Sequence, residues 1–283
     1  MIVALTCTFV FSANAEDKAR PNILVIVTDD QAPHTLSVYG NTVCETPNLD
    51  RLAARGMTLD AAYHMGSWSG AVCRPSRTMI MTGRTVWRIP SPGGRNLLQA
   101  NRPDSVPPDL HLQSMPAVFN QAGYDTFRTC KPGNTYPPAN ELFKTLKEAR
   151  KVGGDEASGS AWYGDRAVDF LEAHEARGGD VPFLMFYGFS HPHDVRDGTP
   201  ELLQKYGAYN AKQPPTEVNP NAPPLPIAWL PKHPFANPHG HDNLRDEVRV
   251  SGVMTSRSEA TVRNELGREY ACIENIDRQI GRV

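Results

Sequence analysis

Residues 22–28 form an unbroken apolar run rich in β-branched side chains, ending at Thr28. A run without alternation predicts a parallel strand buried on both faces. Residues 46–56 are punctuated as a helix. Thr46 stands at the cap, Pro47 in the first turn and Gly56 at the end, with Leu49, Leu52 and Ala53 on one face. Residues 57–63 predict a strand that leads into a loop over 66–72. Pro75, the apolar run Met79-Ile80-Met81 and Gly83 then mark a helix that starts at or just after Cys73.

Further along, 115–123 predict a helix that ends on Gly123, and 124–129 the next strand. Residues 160–178 are amphipathic, with Ala167, Val168, Phe170 and Leu171 facing inward. Residues 182–190 read as another buried strand. The last segment, 259–283, carries Val262, Leu266, Tyr270, Ile273, Ile276 and Ile280 at helical spacing. Two stretches lack periodicity. Residues 85–114, rich in Pro, Gly, Asn and Arg, read as a long loop in which Trp87, Arg88 and Arg95 are surface groups or substrate contacts. Residues 195–245 hold a dense set of prolines and read as extended surface loop, with His233, His239 and His241 inside it.

Composition narrows the class. The chain has 283 residues and a formal charge of −2, enough for one large domain or two ordinary ones. That charge supplies no electrostatic footprint for nucleic acid. Residues 2–11 are almost wholly apolar and Ala13-Asn14-Ala15 follows, which reads as a secretory signal peptide over 1–15 or, alternatively, as a buried first strand. The run is too short to span a bilayer, and no second long apolar stretch exists. The signal reading places the protein outside the cytoplasm, secreted or periplasmic. Cys7 leaves with the signal; Cys44, Cys73, Cys130 and Cys272 remain, and with Cys73 set aside the odd number left argues against a disulfide framework.

Candidate chemistry collects at predicted strand and helix ends. Cys73 sits at a helix N-terminus beside Arg74 and Arg77, where backbone N–H groups and positive charge favour an anion; a small buried hydrophobe is the plainer alternative. Asp29 and Asp30 follow the first strand at once. Adjacent aspartates are commonly a solvated turn, yet at the carboxyl end of a central strand they also suit a hard cation such as Ca2+ or Mg2+. Lys131 follows the 124–129 strand. His191 and His193 follow the 182–190 strand, as polar loop residues or as acid–base or metal groups.

The string Cys73-x-Pro75-Ser76-Arg77, with Gly83-Arg84 six residues on, resembles the sulfatase signature at every motif position. The Thr46-Pro47-Asn48-Leu49-Asp50 helix start and the helix–Gly123-Tyr124–strand unit ending on Lys131 are similar to the same family. The resemblance covers roughly residues 20–283 and implies a doubly wound, mostly parallel α/β sheet flanked by helices, as in alkaline phosphatase. It implies that Cys73 is oxidised to formylglycine by a formylglycine-generating enzyme, and that the aldehyde hydrates to a diol whose hydroxyl attacks sulfur. Asp29 and Asp30 then hold Ca2+ (Mg2+ as the other choice) together with residue 73. Lys131 grips the sulfate, Arg77 holds the formylglycine and His193, with His191 second, protonates the leaving oxygen. The expected substrate is a sulfated small molecule or polysaccharide, with a sulfated sugar favoured by the long loops. A phosphomonoester or phosphonate-ester hydrolase on the same fold and a non-catalytic sulfated-ligand-binding fragment are the alternatives. The sequence departs from the pattern after Lys131, where Pro132-Gly133-Asn134 stands in place of an expected histidine. The family's next buried strand, its second acidic pair and a later lysine fall beyond residue 283, so a C-terminally truncated member is expected.

Overall fold

The computed structural model describes residues 20–66, 72–85, 88, 109–132, 136–149, 159–193, 196, 198–209, 215–232 and 257–283. The expectations for the signal segment 1–15, Trp87, Arg95, Asn134, His233, His239 and His241 lie outside these residues; Arg88 is exposed.

Among the described residues four parallel strands form the centre: β1 (Ile23–Asp29), β2 (Asp125–Cys130), β3 (Thr145–Glu148) and β4 (Phe183–Pro192). Their spatial order is β1-β4-β2-β3, with every neighbouring pair parallel. All strand ends therefore point one way, so the residues that follow β1, β2 and β4 meet along one edge. Among the described residues seven α-helices connect or cover the strands: α1 (Pro47–Ala54), α2 (Cys73–Thr82), α3 (Met115–Gln121), α4 (Pro137–Asn140), α5 (Ser160–Ala176), α6 (Pro200–Lys205) and α7 (Glu259–Arg282).

The pleat of β4 divides the core. Met185, Tyr187 and Phe189 pack with Phe127, Tyr163, Phe170, Ile276 and Ile280, under α5 and α7. Leu184 and Phe186 face the other way, onto Met81, Tyr124, Ala139 and Phe143, under α2, α3 and α4. Each such side chain contributes about 1.5–3 kcal/mol through burial. Helices on both faces explain why β4 is a continuous apolar run rather than an alternating one. Gly188 is required there: a Cβ would stand 2.6 Å from the Thr129 carbonyl oxygen. The Thr129 hydroxyl instead accepts from Gly188 N and donates to Gly188 O, both at 3.0 Å, locking β2 to β4.

Five expectations are corrected. Among the described residues β1 is an edge strand, with Leu24 42% exposed, so its apolar run is not buried on both faces. Residues 57–63 form no strand; Met57 and Tyr63 are 85% and 92% exposed, and no described strand pairs with them. Leu52 of α1 is 47% exposed rather than inward. Thr46 precedes α1, but its hydroxyl bonds Ser37 rather than the helix; Asp277 of α7 caps α1 instead, accepting from Asn48 N at 3.1 Å and Leu49 N at 2.8 Å. Finally, the proline-rich segment contains α6, whose first turn is capped by Thr199 and whose Leu202 and Leu203 are buried against α7.

Candidate functional site

Three strand ends and one helix start assemble the site. Asp29 is the last residue of β1 and is 1% exposed. Asp30 turns the chain away in the left-handed region at φ 65°, a conformation that aspartate tolerates better than most residues, at a cost that clusters at functional sites. Cys73 is the first residue of α2, and Arg77 lies one turn on, so both face the same way. Gly83, at φ +63°, closes the same helix. Lys131 directly follows β2 and His193 directly follows β4.

Arg77 is 3% exposed and ties these parts together. Its Nη1 lies 3.2 Å from Asp29 Oδ1, and its Nη2 donates to the carbonyls of Thr28 at 3.3 Å and Phe189 at 3.4 Å. One guanidinium thus fixes the ends of β1 and β4 relative to α2. Lys131 Nζ approaches the other Asp29 oxygen, Oδ2, at 2.5 Å. Burial pushes the Asp29 carboxyl up, but Arg77 and Lys131 outweigh it and hold the group below the usual carboxylate range. The carboxylate is therefore ionised at neutral pH.

Asp30 faces the other two groups. Its Oδ1 accepts from Cys73 Sγ at 3.7 Å, and its Oδ2 lies 3.6 Å from His193 Nε2. Burial first, then the charge of Asp29 and the thiol's hydrogen bond to it, then the charge of Asp30, push the Cys73 thiol up to about 12. The encoded sulfur is thus protonated at neutral pH and is a poor nucleophile as it stands. His191 points elsewhere: it is 1% exposed and its Nδ1 lies 3.4 Å from Ser190 Oγ. Of the two histidines, His193 is the one at the aspartate pair. All six residues singled out by sequence (Asp29, Asp30, Cys73, Arg77, Lys131 and His193) therefore meet at one sheet edge. Sequence reading missed the bridging of Thr28 and Phe189 by Arg77, for which only the i, i+4 spacing from Cys73 was a signal.

A cation has donors here: Asp30, Cys73 and His193 each offer one ligand atom within 4.8 Å of the others. As encoded this set mixes sulfur, nitrogen and oxygen. With an oxygen at position 73, and with the Asp29 carboxylate adjoining that of Asp30, it gains the oxygen character that Ca2+ or Mg2+ requires. The set fits a hard cation in that oxidised form.

The family model described as Sulfatase matches residues 21–283. The N-acetylglucosamine-6-O-sulfatase of Bacteroides thetaiotaomicron is 26% identical over 207 residues, 68% of this chain and 34% of that protein. The uncharacterized sulfatase YidJ of Escherichia coli K12 is 26% identical, over 93% of this chain and 53% of that protein. In fold, the chain is similar to BT4656 in complex with its substrate D-glucosamine-2-N,6-O-disulfate, with a TM-score of 0.61, 20% identity, and coverage of 93% of this chain and 61% of that one. The chain therefore spans about a third to a half of the length of these two curated relatives. Its parallel sheet, covered by helices on both faces, is the alkaline-phosphatase-like fold. With the signature at Cys73, the strand-end cluster and a family match running from residue 21 to residue 283, the chain belongs to the sulfatase family.

Proposed function

We propose that this chain carries the catalytic centre of a hydrolase for sulfate esters of carbohydrates, matured by conversion of Cys73 to formylglycine. The observation that carries the reading is the convergence of Arg77, Lys131 and His193 on Cys73 and the Asp29–Asp30 pair. A protonated thiol beside two carboxylates is a poor nucleophile, whereas the hydrated aldehyde made from it would supply a hydroxyl able to attack sulfur and later expel sulfate. Asp29, Asp30 and an oxygen on residue 73 would hold Ca2+, or Mg2+, which would stabilise negative charge developing on the sulfate oxygens.

The chain's own side chains supply the rest. Lys131 and Arg77 place two positive charges where the sulfate oxygens gather charge. Lys131, partly exposed, is free to shift from Asp29 toward substrate, while buried Arg77 stays on the strand ends and holds residue 73 in register. His193, partly exposed beside Asp30, donates a proton to the leaving sugar oxygen. The N-acetylglucosamine-6-O-sulfatase relative supports a sulfated amino sugar as substrate. Export by a signal over residues 1–15 and encounter with a formylglycine-generating enzyme belong to the same reading, with 20–283 forming the N-terminal part of the catalytic domain.

The test is peptide mass spectrometry of residue 73 after co-expression with a formylglycine-generating enzyme, with sulfate release measured on the same sample plus Ca2+. We expect the mass loss of a thiol replaced by an aldehyde, together with sulfate release from a 6-O-sulfated amino sugar. Turnover by protein whose Cys73 is wholly unmodified would overturn the mechanism, and converted protein that releases no sulfate would overturn the activity.

A further inference from the structure

The donor atoms that lie nearest one another at the strand ends are not all oxygens. Asp30 is 3.7 Å from Cys73 Sγ through one oxygen and 3.6 Å from His193 Nε2 through the other, and one atom from each residue lies within 4.8 Å of the others. Zinc bond lengths of about 2.3 Å to sulfur and about 2.0–2.2 Å to nitrogen or oxygen, at tetrahedral angles, separate ligand atoms by roughly 3.4–3.6 Å. Two of the three separations, each through a different Asp30 oxygen, are close to that size, and one atom from each residue lies within 4.8 Å of the others, so a small side-chain adjustment closes the set. Its members come from the end of β1, the start of α2 and the residue after β4, so the sheet edge sets their spacing. Asp29 is held by Arg77 and Lys131 and also lies against the sulfur, while Asp30 is the carboxylate that reaches both sulfur and imidazole. All three ligand residues are partly exposed, so an ion can enter from solvent and keep a water in a fourth position.

A calcium ion suits this set poorly, because it takes six to eight oxygens. Thiolate and imidazole select borderline-soft ions instead. We propose that the chain as encoded, with a thiol at position 73, binds Zn2+ or Co2+ through Asp30, Cys73 and His193, and that an oxygen in place of the sulfur shifts the site toward hard cations. On binding, the sulfur–metal bond forms as the thiol proton passes to solvent. The site rests on encoded side chains alone and stands whether or not the chain hydrolyses sulfate esters. One consequence is that the metal-bound sulfur is shielded from reagents that attack a thiol.

The experiment uses the full chain made without a formylglycine-generating enzyme, its Cys73 thiol verified by peptide mass. Titration with Co2+ should raise a near-ultraviolet sulfur-to-cobalt charge-transfer band that saturates at one equivalent. Zn2+ should displace it and Ca2+ should not. Cys73→Ser should abolish the band and weaken Zn2+ binding about tenfold or more, and His193→Ala should weaken Zn2+ binding with the fold intact by circular dichroism. The serine variant also excludes Cys44, Cys130 and Cys272, which are buried. In the unaltered chain, Zn2+ should slow iodoacetamide labelling of Cys73 and Ca2+ should not. Absence of the band, its survival in Cys73→Ser, or a labelling rate indifferent to Zn2+ would overturn the site.

Discussion

His193 is the residue whose proposed role is most open to a kinetic test. It stands partly exposed beside Asp30 and directly after β4, where a leaving oxygen can reach it. A general acid matters most when the leaving group is a poor one. We expect His193→Ala to lower sulfate release from an alkyl or sugar sulfate by about 10²–10⁴-fold, and to lower release from an aryl sulfate with an acidic phenol far less. An equal loss on both substrates would show that the imidazole acts by positioning alone. Arg128 poses a different question at the same scale. Its side chain is fully buried on β2, with its guanidinium over the rings of Phe186 at 4.8 Å and Phe143 at 5.8 Å. Among the described residues none of its three nitrogens has a hydrogen bond of normal geometry; the Cys130 sulfur within reach and the Glu148 charge are its only compensation besides the rings there. The ring contacts contribute about 2 kcal/mol when desolvated, less than the several kcal/mol that burying a weakly compensated charge costs. Arg128→Met, which keeps the length of the side chain and removes the charge, should therefore raise the unfolding free energy by about 1–2 kcal/mol in urea melts. A loss of stability would mean that the guanidinium has a partner of greater weight than the two rings.

At the scale of elements, α1 and α7 depend on one carboxylate. Asp277 is fully buried, and its side chain accepts from Asn48 N, Leu49 N and Asn48 Nδ2. Backbone donors at a helix start are otherwise orphaned, and bonds to a charged acceptor are the stronger kind. Asp277→Ala should cost about 2–3 kcal/mol, and Asp277→Asn, which keeps one acceptor oxygen, should cost less. Equal losses in the two variants would place the effect in cavity formation rather than capping. The helix start itself was legible in sequence, from Thr46 and Pro47. The cap was not, because it comes from a residue some 230 positions away and side-chain spacing within 46–56 holds no record of it. The strand expected over 57–63 failed for a related reason. An extended segment needs a partner for its backbone groups, and Met57, Leu59 and Tyr63 stand in solvent with none among the described strands.

Across the whole molecule, pH should act through the cluster that joins α6 to α7. Glu274 accepts from Lys205 Nζ at 2.7 Å, Tyr206 Oη at 2.6 Å and Arg278 Nη2 at 2.9 Å. Burial pushes its carboxyl up, but these donors outweigh burial and hold it below its ordinary value. Lys205 is shifted the other way: burial lowers it, and its bonds to Glu274 and Glu45 raise it further than burial lowers it. For the acid, the stabilisation is present above the unfolded pKa of about 4.3 and is lost as pH falls through the lower folded value. For the lysine, it is present below the unfolded pKa of about 10.4 and is lost as pH rises through the higher folded value. Thermal melts should hold a plateau between these limits and fall on either side. Glu274→Gln should flatten the acid limb near pH 4; an acid limb unchanged in that variant would assign it to other carboxylates.

The sequence by itself determined the local units and the chemical inventory. Apolar runs over 22–28 and 182–190, Gly83 and Gly123 at helix ends, and the Cys73–Arg77 string all act through neighbours in the chain, so their physics can be read from spacing. Tertiary structure alone decided which of these units meet. It set β4 between β1 and β2, which makes β4 the doubly covered strand and leaves β1 at an edge among the described residues. It selected His193 over His191, because the residue after the last β4 position turns toward Asp30 while His191 is buried beside Ser190. It also set the aspartate pair to different partners, with Arg77 and Lys131 on Asp29, His193 on Asp30 and the Cys73 sulfur against both. Adjacent residues at a strand end point in different directions, and what each one faces is fixed by strands and helices that the local sequence does not contain.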